Sequence, residues 1–75
     1  MPVSLDLKGL KCPLPALKTR KALQGLAPGD EIEVVCTDPL AVIDIPHLVS
    51  TVGDTLLGQE KSETEIRFVI RREAR

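Results

Sequence analysis

The spacing of apolar residues switches period along this chain, and proline or glycine stands at nearly every switch. Val3, Leu5 and Leu7 alternate with Ser4, Asp6 and Lys8, the period of a half-buried strand, and Gly9 closes the run. Lys11-Cys12-Pro13-Leu14-Pro15 then reads as a helix entry, because proline suits a first turn whose N–H groups have no helical acceptor. Ala16, Thr19, Leu23 and Leu26 form one helical stripe, with Lys18, Arg20 and Lys21 largely outside it. The helix is expected to end at about Gln24, with Gly25 as its stop. Ala27-Pro28-Gly29-Asp30 has proline and glycine where a type II turn places them. A second strand follows over Glu31 to Thr37, with Ile32, Val34 and Cys36 on one face.

Asp38-Pro39 repeats the pattern of N-cap and first-turn proline. Ala41, Ile45, Leu48, Val49 and Val52 recur at helical spacing as far as Gly53, a fitting C′ residue. Pro46 inside that run predicts a kink or a restart, with Asp44 as a second cap. Thr55 to about Lys61 predicts a third strand, Ser62-Glu63-Thr64 a turn, and Ile66, Phe68 and Ile70 the inward face of a fourth. The tail from Arg72 to Arg75 is expected to fray. The order is therefore βαβαββ. Its first βαβ unit calls for a right-handed parallel crossover and its last two strands for an antiparallel hairpin. The predicted fold class is an α/β (α+β) two-layer sandwich, a mixed four-stranded sheet with two helices on one face. One domain accounts for all 75 residues. A chain of this size buries roughly 60–65% of its unfolded surface, which leaves no room for a deep cavity without a partner.

Apolar residues make up 43% and charged residues 28%, as in a folded globular chain. Phe68 is the sole aromatic. Direct nucleic-acid binding is therefore not expected, since single strands are usually held by stacking on aromatic faces. The net charge is −1, but Lys8, Lys11, Lys18, Arg20 and Lys21 fall in an interval from Asp6 to Asp30 that contains no acid. The start shows no charged and apolar leader pattern, and no stretch approaches the roughly 20 apolar residues of a membrane helix. A cytoplasmic location without membrane association is expected. In a reducing compartment, Cys12 and Cys36 are thiols rather than a structural disulfide. Their spacing matches neither a zinc nor a CxxC pattern, and no metal site is expected.

Cys12, at or beside the N-cap of the first helix, should face free N–H groups and the positive end of the helix dipole. A thiolate is favoured there, and Lys11 adds to the effect. Pro13 and Pro15 stiffen the entry, and Leu14 between them is expected at the surface. The predicted thiol is reactive, exposed and rigidly mounted. A cysteine hydrolase would need a histidine base, and His47 is the one histidine, on the other helix. A dithiol oxidoreductase would want a close second cysteine, where Pro15 and Gly9 stand instead. A nucleophile exchanging with sulfur species brought by other proteins needs only exposure and a low pKa.

Gly9-Leu10-Lys11-Cys12-Pro13-Leu14-Pro15 resembles the GxxCPxP signature of the TusA/SirA family of sulfur carriers, and Asp38-Pro39 with Asp44-Ile45-Pro46 resembles that family's second motif. The likeness covers nearly the whole chain. It implies that Cys12 accepts sulfane sulfur as a covalent persulfide, without a separate cofactor. The implied donor is a cysteine desulfurase or rhodanese-like protein. The implied acceptor is a sulfur-relay protein for tRNA thiolation, molybdenum-cofactor assembly or sulfur oxidation. Many relatives have an aromatic residue and a cysteine after the DIP, where this chain has His47-Leu48-Val49.

Plainer readings stand beside these. Cys36 shares a strand face with Ile32 and Val34 and fits a core role, while its place at a strand end leaves a regulatory disulfide with Cys12 open. Lys18, Arg20 and Lys21 fit a solvated helix face or, with Leu14, a docking surface for an acidic partner. Asp38 and Asp44 fit helix caps better than acid–base catalysts, and His47 fits a surface residue. Two alternative functions remain: a regulatory or RNA-associated binding module, and a thiol redox sensor using Cys12 and Cys36.

Overall fold

The computed structural model describes residues 3–73. Strand β1 is Val3–Leu7, helix α1 Leu14–Gln24, strand β2 Glu31–Cys36, helix α2 Ala41–Val52, strand β3 Thr55–Lys61 and strand β4 Ile66–Arg71. The sheet order is β1-β2-β4-β3. β1 and β2 run parallel, whereas β4 runs antiparallel to both β2 and β3. The expected βαβαββ two-layer sandwich is the fold observed.

Alternation explains which side of the sheet the helices cover. Ile32, Val34 and Cys36 of β2 and Ile66, Phe68 and Ile70 of β4 lie opposite one another and are sealed. They join Leu7, Leu23, Ala41, Ile45 and Val49 in one core, with Phe68 the largest fully buried side chain. Burying a side chain of this kind contributes about 1.5–3 kcal/mol.

Several boundaries differ from expectation for physical reasons. Pro13 occupies the N-cap position of α1, one residue after Cys12, and the buried stripe begins at Pro15 rather than Ala16. α2 starts at Ala41 with Leu40 as N-cap, so Asp38 and Pro39 precede the helix instead of opening it. Asp38 Oδ1 accepts from Leu40 N at 3.0 Å, an Asx turn that uses the same residue chemistry as a cap. α2 also runs through Pro46 as one helix without restarting, so Asp44 lies in its first turn and is not a second cap. The missing N–H of Pro46 removes the bond that Val42 C=O would have accepted. At the far end Gly53 adopts φ +80°, and bonds from Gly53 N to Ser50 O and from Asp54 N to Val49 O close the helix as expected.

Arg72 and Glu73 do not fray. Gly29 N donates to Arg72 O at 2.7 Å and Arg72 N to Asp30 O at 2.8 Å, prolonging β4 against the turn before β2. The Arg72 guanidinium also donates to Leu23 O, and Glu73 N donates to Asp54 Oδ1 at 3.2 Å. Ala74 and Arg75, the rest of the expected frayed tail, lie outside the described residues. No helix of the described residues is long and apolar enough to cross a membrane.

Candidate functional site

Parallel pairing of Leu7 with Cys36 brings the ends of β1 and β2 side by side. The loops that follow these strands therefore leave the sheet together, outside the carboxyl ends of a parallel pair, where α/β folds commonly place functional residues. Cys12 is in the first loop and Asp38 in the second.

Three hydrogen bonds tie this region together. Gly9, at φ +85°, donates its N–H to Thr37 Oγ1 at 2.8 Å. Cys12 N donates to Asp38 Oδ2 at 2.6 Å. Cys12 Sγ–H donates to Asp44 Oδ2 at 2.7 Å. Asp38 thus spans the two loops, with one oxygen on Leu40 N and the other on Cys12 N. The positive φ at Gly9 suits a residue without Cβ, and it turns the chain from β1 toward these partners. The Cys12–Pro13 peptide bond is cis.

Cys12 is exposed, but its electrostatic setting is the reverse of the expected one. The hydrogen bond to Asp44 holds the thiol above its ordinary value, reinforced by partial desolvation and by the charges of Asp44 and Asp38. The proline pair explains why the helix start does not compensate. Pro13 and Pro15 have no N–H, and Leu14 N is engaged by Lys11 O at 2.9 Å. The motif therefore stiffens the helix entry while stripping away amides that would have stabilised a thiolate. Lys11 acts on Asp38 instead. The bonds from Cys12 N and Leu40 N hold the Asp38 carboxyl below the usual carboxylate range, and the Lys11 charge adds a smaller effect.

Gly9, Lys11, Pro13, Asp38 and Asp44 gather about Cys12. Pro15 is buried beneath α1, Pro39 is exposed in the Asx turn, and Pro46 is half-buried in α2. Leu14, Lys18, Arg20 and Lys21 are exposed, as is His47. Sequence reasoning missed the apolar surface beyond Leu14: Leu17 is 54%, Leu40 51% and Ile43 67% exposed. Its signal was present, since Leu14 and Leu17 keep helical spacing with Lys18 and Lys21 on the face opposite Thr19 and Leu23. Cys36 is fully sealed, and burial with the nearby Asp38 charge pushes its thiol up to about 11. Among the described residues, no group of three or more His, Cys, Asp or Glu is placed to hold a metal ion.

Fold and site together define a small two-layer domain presenting one accessible thiol at the meeting point of two helix starts. Residues 3–72 match the family model described as Sulfurtransferase TusA. A protein of Archaeoglobus fulgidus whose name includes the words sulfur carrier protein is 41% identical over 68 residues, spanning 89% of this chain and 88% of the relative. One of Halobacterium salinarum with the same words in its name is 37% identical over 70 residues, or 92% of this chain and 86% of the relative. The crystal structure of a SirA-like protein from Desulfitobacterium hafniense superposes with a TM-score of 0.82, covering 96% of this chain and 99% of that one, at 22% identity. The chain belongs to the TusA/SirA family of sulfur carriers. Such a carrier works between a protein that supplies sulfur and one that receives it.

Proposed function

We propose that Cys12 is the carrier thiol and holds the transferred sulfur as a persulfide. In loading, Cys12 Sγ attacks the outer sulfur of a donor persulfide, the donor's S–S bond breaks, and the donor cysteine leaves as a thiolate. In delivery, an acceptor thiolate attacks the terminal sulfur of the Cys12 persulfide, the S–S bond to Cys12 breaks, and Cys12 leaves as a thiolate that takes up a proton. One S–S bond replaces another at each step, so no oxidant or resident cofactor is required. The observation that carries this reading is the contrast between the two thiols: Cys12 is exposed on a loop held at both backbone and side chain, whereas Cys36 is sealed in the core. That contrast weighs against a redox sensor, which needs Cys36 to react.

The donor is a cysteine desulfurase or a rhodanese-like protein. The acceptor is a relay protein leading to tRNA thiolation, molybdenum-cofactor assembly or sulfur oxidation, and the carrier works in the cytoplasm, where thiols stay reduced. Leu14 and Leu17 on α1 and Leu40 and Ile43 at the start of α2 supply apolar docking surface beside the thiol. Lys18, Arg20 and Lys21 steer an acidic partner onto it. Gly9, Lys11, Pro13, Asp38 and Pro39 belong to the two loops, Asp44 reaches the thiol from the first turn of α2, and Pro15 and Pro46 lie within the helices. Mass spectrometry after incubation with a desulfurase and cysteine tests the reading. One added sulfur is expected on the wild type and none on Cys12→Ser; sulfur on Cys36, or on the Cys12→Ser chain, contradicts it.

A further inference from the structure

Resting on Cys12 as the carrier thiol, we propose that Asp44 is the proton acceptor that makes Cys12 a nucleophile. A thiol must lose its proton before it attacks sulfur, and this site does not present a ready-made thiolate. The helix start has surrendered two N–H groups to Pro13 and Pro15, and Leu14 N is already occupied. The proton on Sγ therefore needs an acceptor within hydrogen-bond reach. Asp44 Oδ2 lies 2.7 Å from Sγ, and Ile45 beside it is fully buried, which anchors that turn of α2.

The other charged groups near the thiol are poorly suited to the task. Asp38, from the loop after β2, spends Oδ1 on Leu40 N and Oδ2 on Cys12 N, bonds that stabilise its charge and weaken it as a base. Lys11, in the same loop as Cys12, is a cation with no acceptor atom to offer. Among the described residues, Asp44 alone accepts from the sulfur itself.

The transfer balances without an added reagent. The Cys12 S–H bond breaks and its proton passes to Asp44 Oδ2, while the freed electron pair forms the new bond to the donor's outer sulfur. The donor's S–S bond breaks, and the departing thiolate takes the proton back from Asp44. The carboxylate ends as it began. With no hydrogen left on Sγ itself, the loaded carrier has also lost the bond that tethered the sulfur to Asp44.

The test is the pH profile of Cys12 alkylation by iodoacetamide, a neutral probe that requires no sulfur donor and so leaves the carrier assignment separately testable. Wild type, Asp44→Asn and Asp44→Glu are compared. The wild type should keep a reactive limb well below the titration of its thiol. Asp44→Asn keeps the side-chain shape but cannot take the proton. It should lose that limb and react at least about tenfold more slowly near pH 6, with its rate tracking thiol ionisation alone. Asp44→Glu should retain the limb. An Asn variant as fast as the wild type or faster near pH 6, or a Glu variant indistinguishable from Asn, overturns the proposal and leaves Asp44 a restraint on the thiol.

Discussion

At the scale of single residues, the site depends on carboxylates doing different work. Asp38 uses both oxygens on backbone N–H groups, one in its own turn and one in the loop of Cys12, so it is a brace between loops. Its charge is favoured by those bonds, and its folded pKa lies below the unfolded value. The stability it contributes is therefore present above the unfolded value, near about 4, and is lost as pH falls through the depressed folded one. Asp38→Asn should show a shallower loss of melting temperature than the wild type from about pH 5 down to about pH 2. Parallel acid limbs in thermal unfolding would contradict this. The residue types were legible in the sequence, but these roles were not. Asp38 looks like a helix cap because an Asx turn and an N-cap use the same short oxygen-bearing side chain. Its bond to Cys12 joins residues 26 apart, and that of Asp44 joins residues 32 apart. Only the tertiary fold brings such pairs together.

At the scale of elements, the start of α1 shows how one motif can carry opposed effects. Proline in the first turn preorganises the helix, yet each proline removes an amide that could have faced the sulfur. Sequence reasoning weighed the helix dipole but not the carboxylates that the fold brings to the sulfur, Asp44 above all, which is why it expected an acidic thiol where the structure holds a raised one. Pro15→Ala returns one N–H to that turn. It should lower the pH at which Cys12 ionises, read from thiolate absorbance in a Cys36→Ala background so that the second thiol does not contribute. A variant that titrates with its parent, or above it, would show that the amides are irrelevant and that Asp44 and Asp38 alone set the value. Element order was far more legible than these termini. Alternation in β1, β2 and β4 and the stripe of α2 are repeated over several residues, and burial of one face enforces them. A helix start rests on one or two residues. Of the kink or restart predicted at Pro46, the restart is absent: packing of Ala41, Ile45 and Val49 holds α2 together across the lost hydrogen bond.

At the scale of the whole molecule, the fold separates two thiols by their access to solvent. The parallel crossover places β1 and β2 side by side, so one loop presents Cys12 outward while Cys36, the last residue of β2, closes the core beneath. The sandwich was legible because each strand buries one face and each helix one stripe, and few arrangements of βαβαββ satisfy both. The apolar rim was less so: Leu17, Leu40 and Ile43 resemble core residues by type, and only their position on the outer faces of the helices shows otherwise. A domain of this size buries too little surface to enclose a deep cavity without a partner, so the proposed transfer takes place at an open surface. The central claim is that this surface holds one removable sulfur on Cys12. Cyanide removes such sulfur as thiocyanate and leaves a thiol behind. A chain loaded by a desulfurase and separated from it should release one thiocyanate per molecule, and the Cys12→Ser chain none. Equal release from both chains, or none from a wild type that mass spectrometry shows to be loaded, would contradict the account.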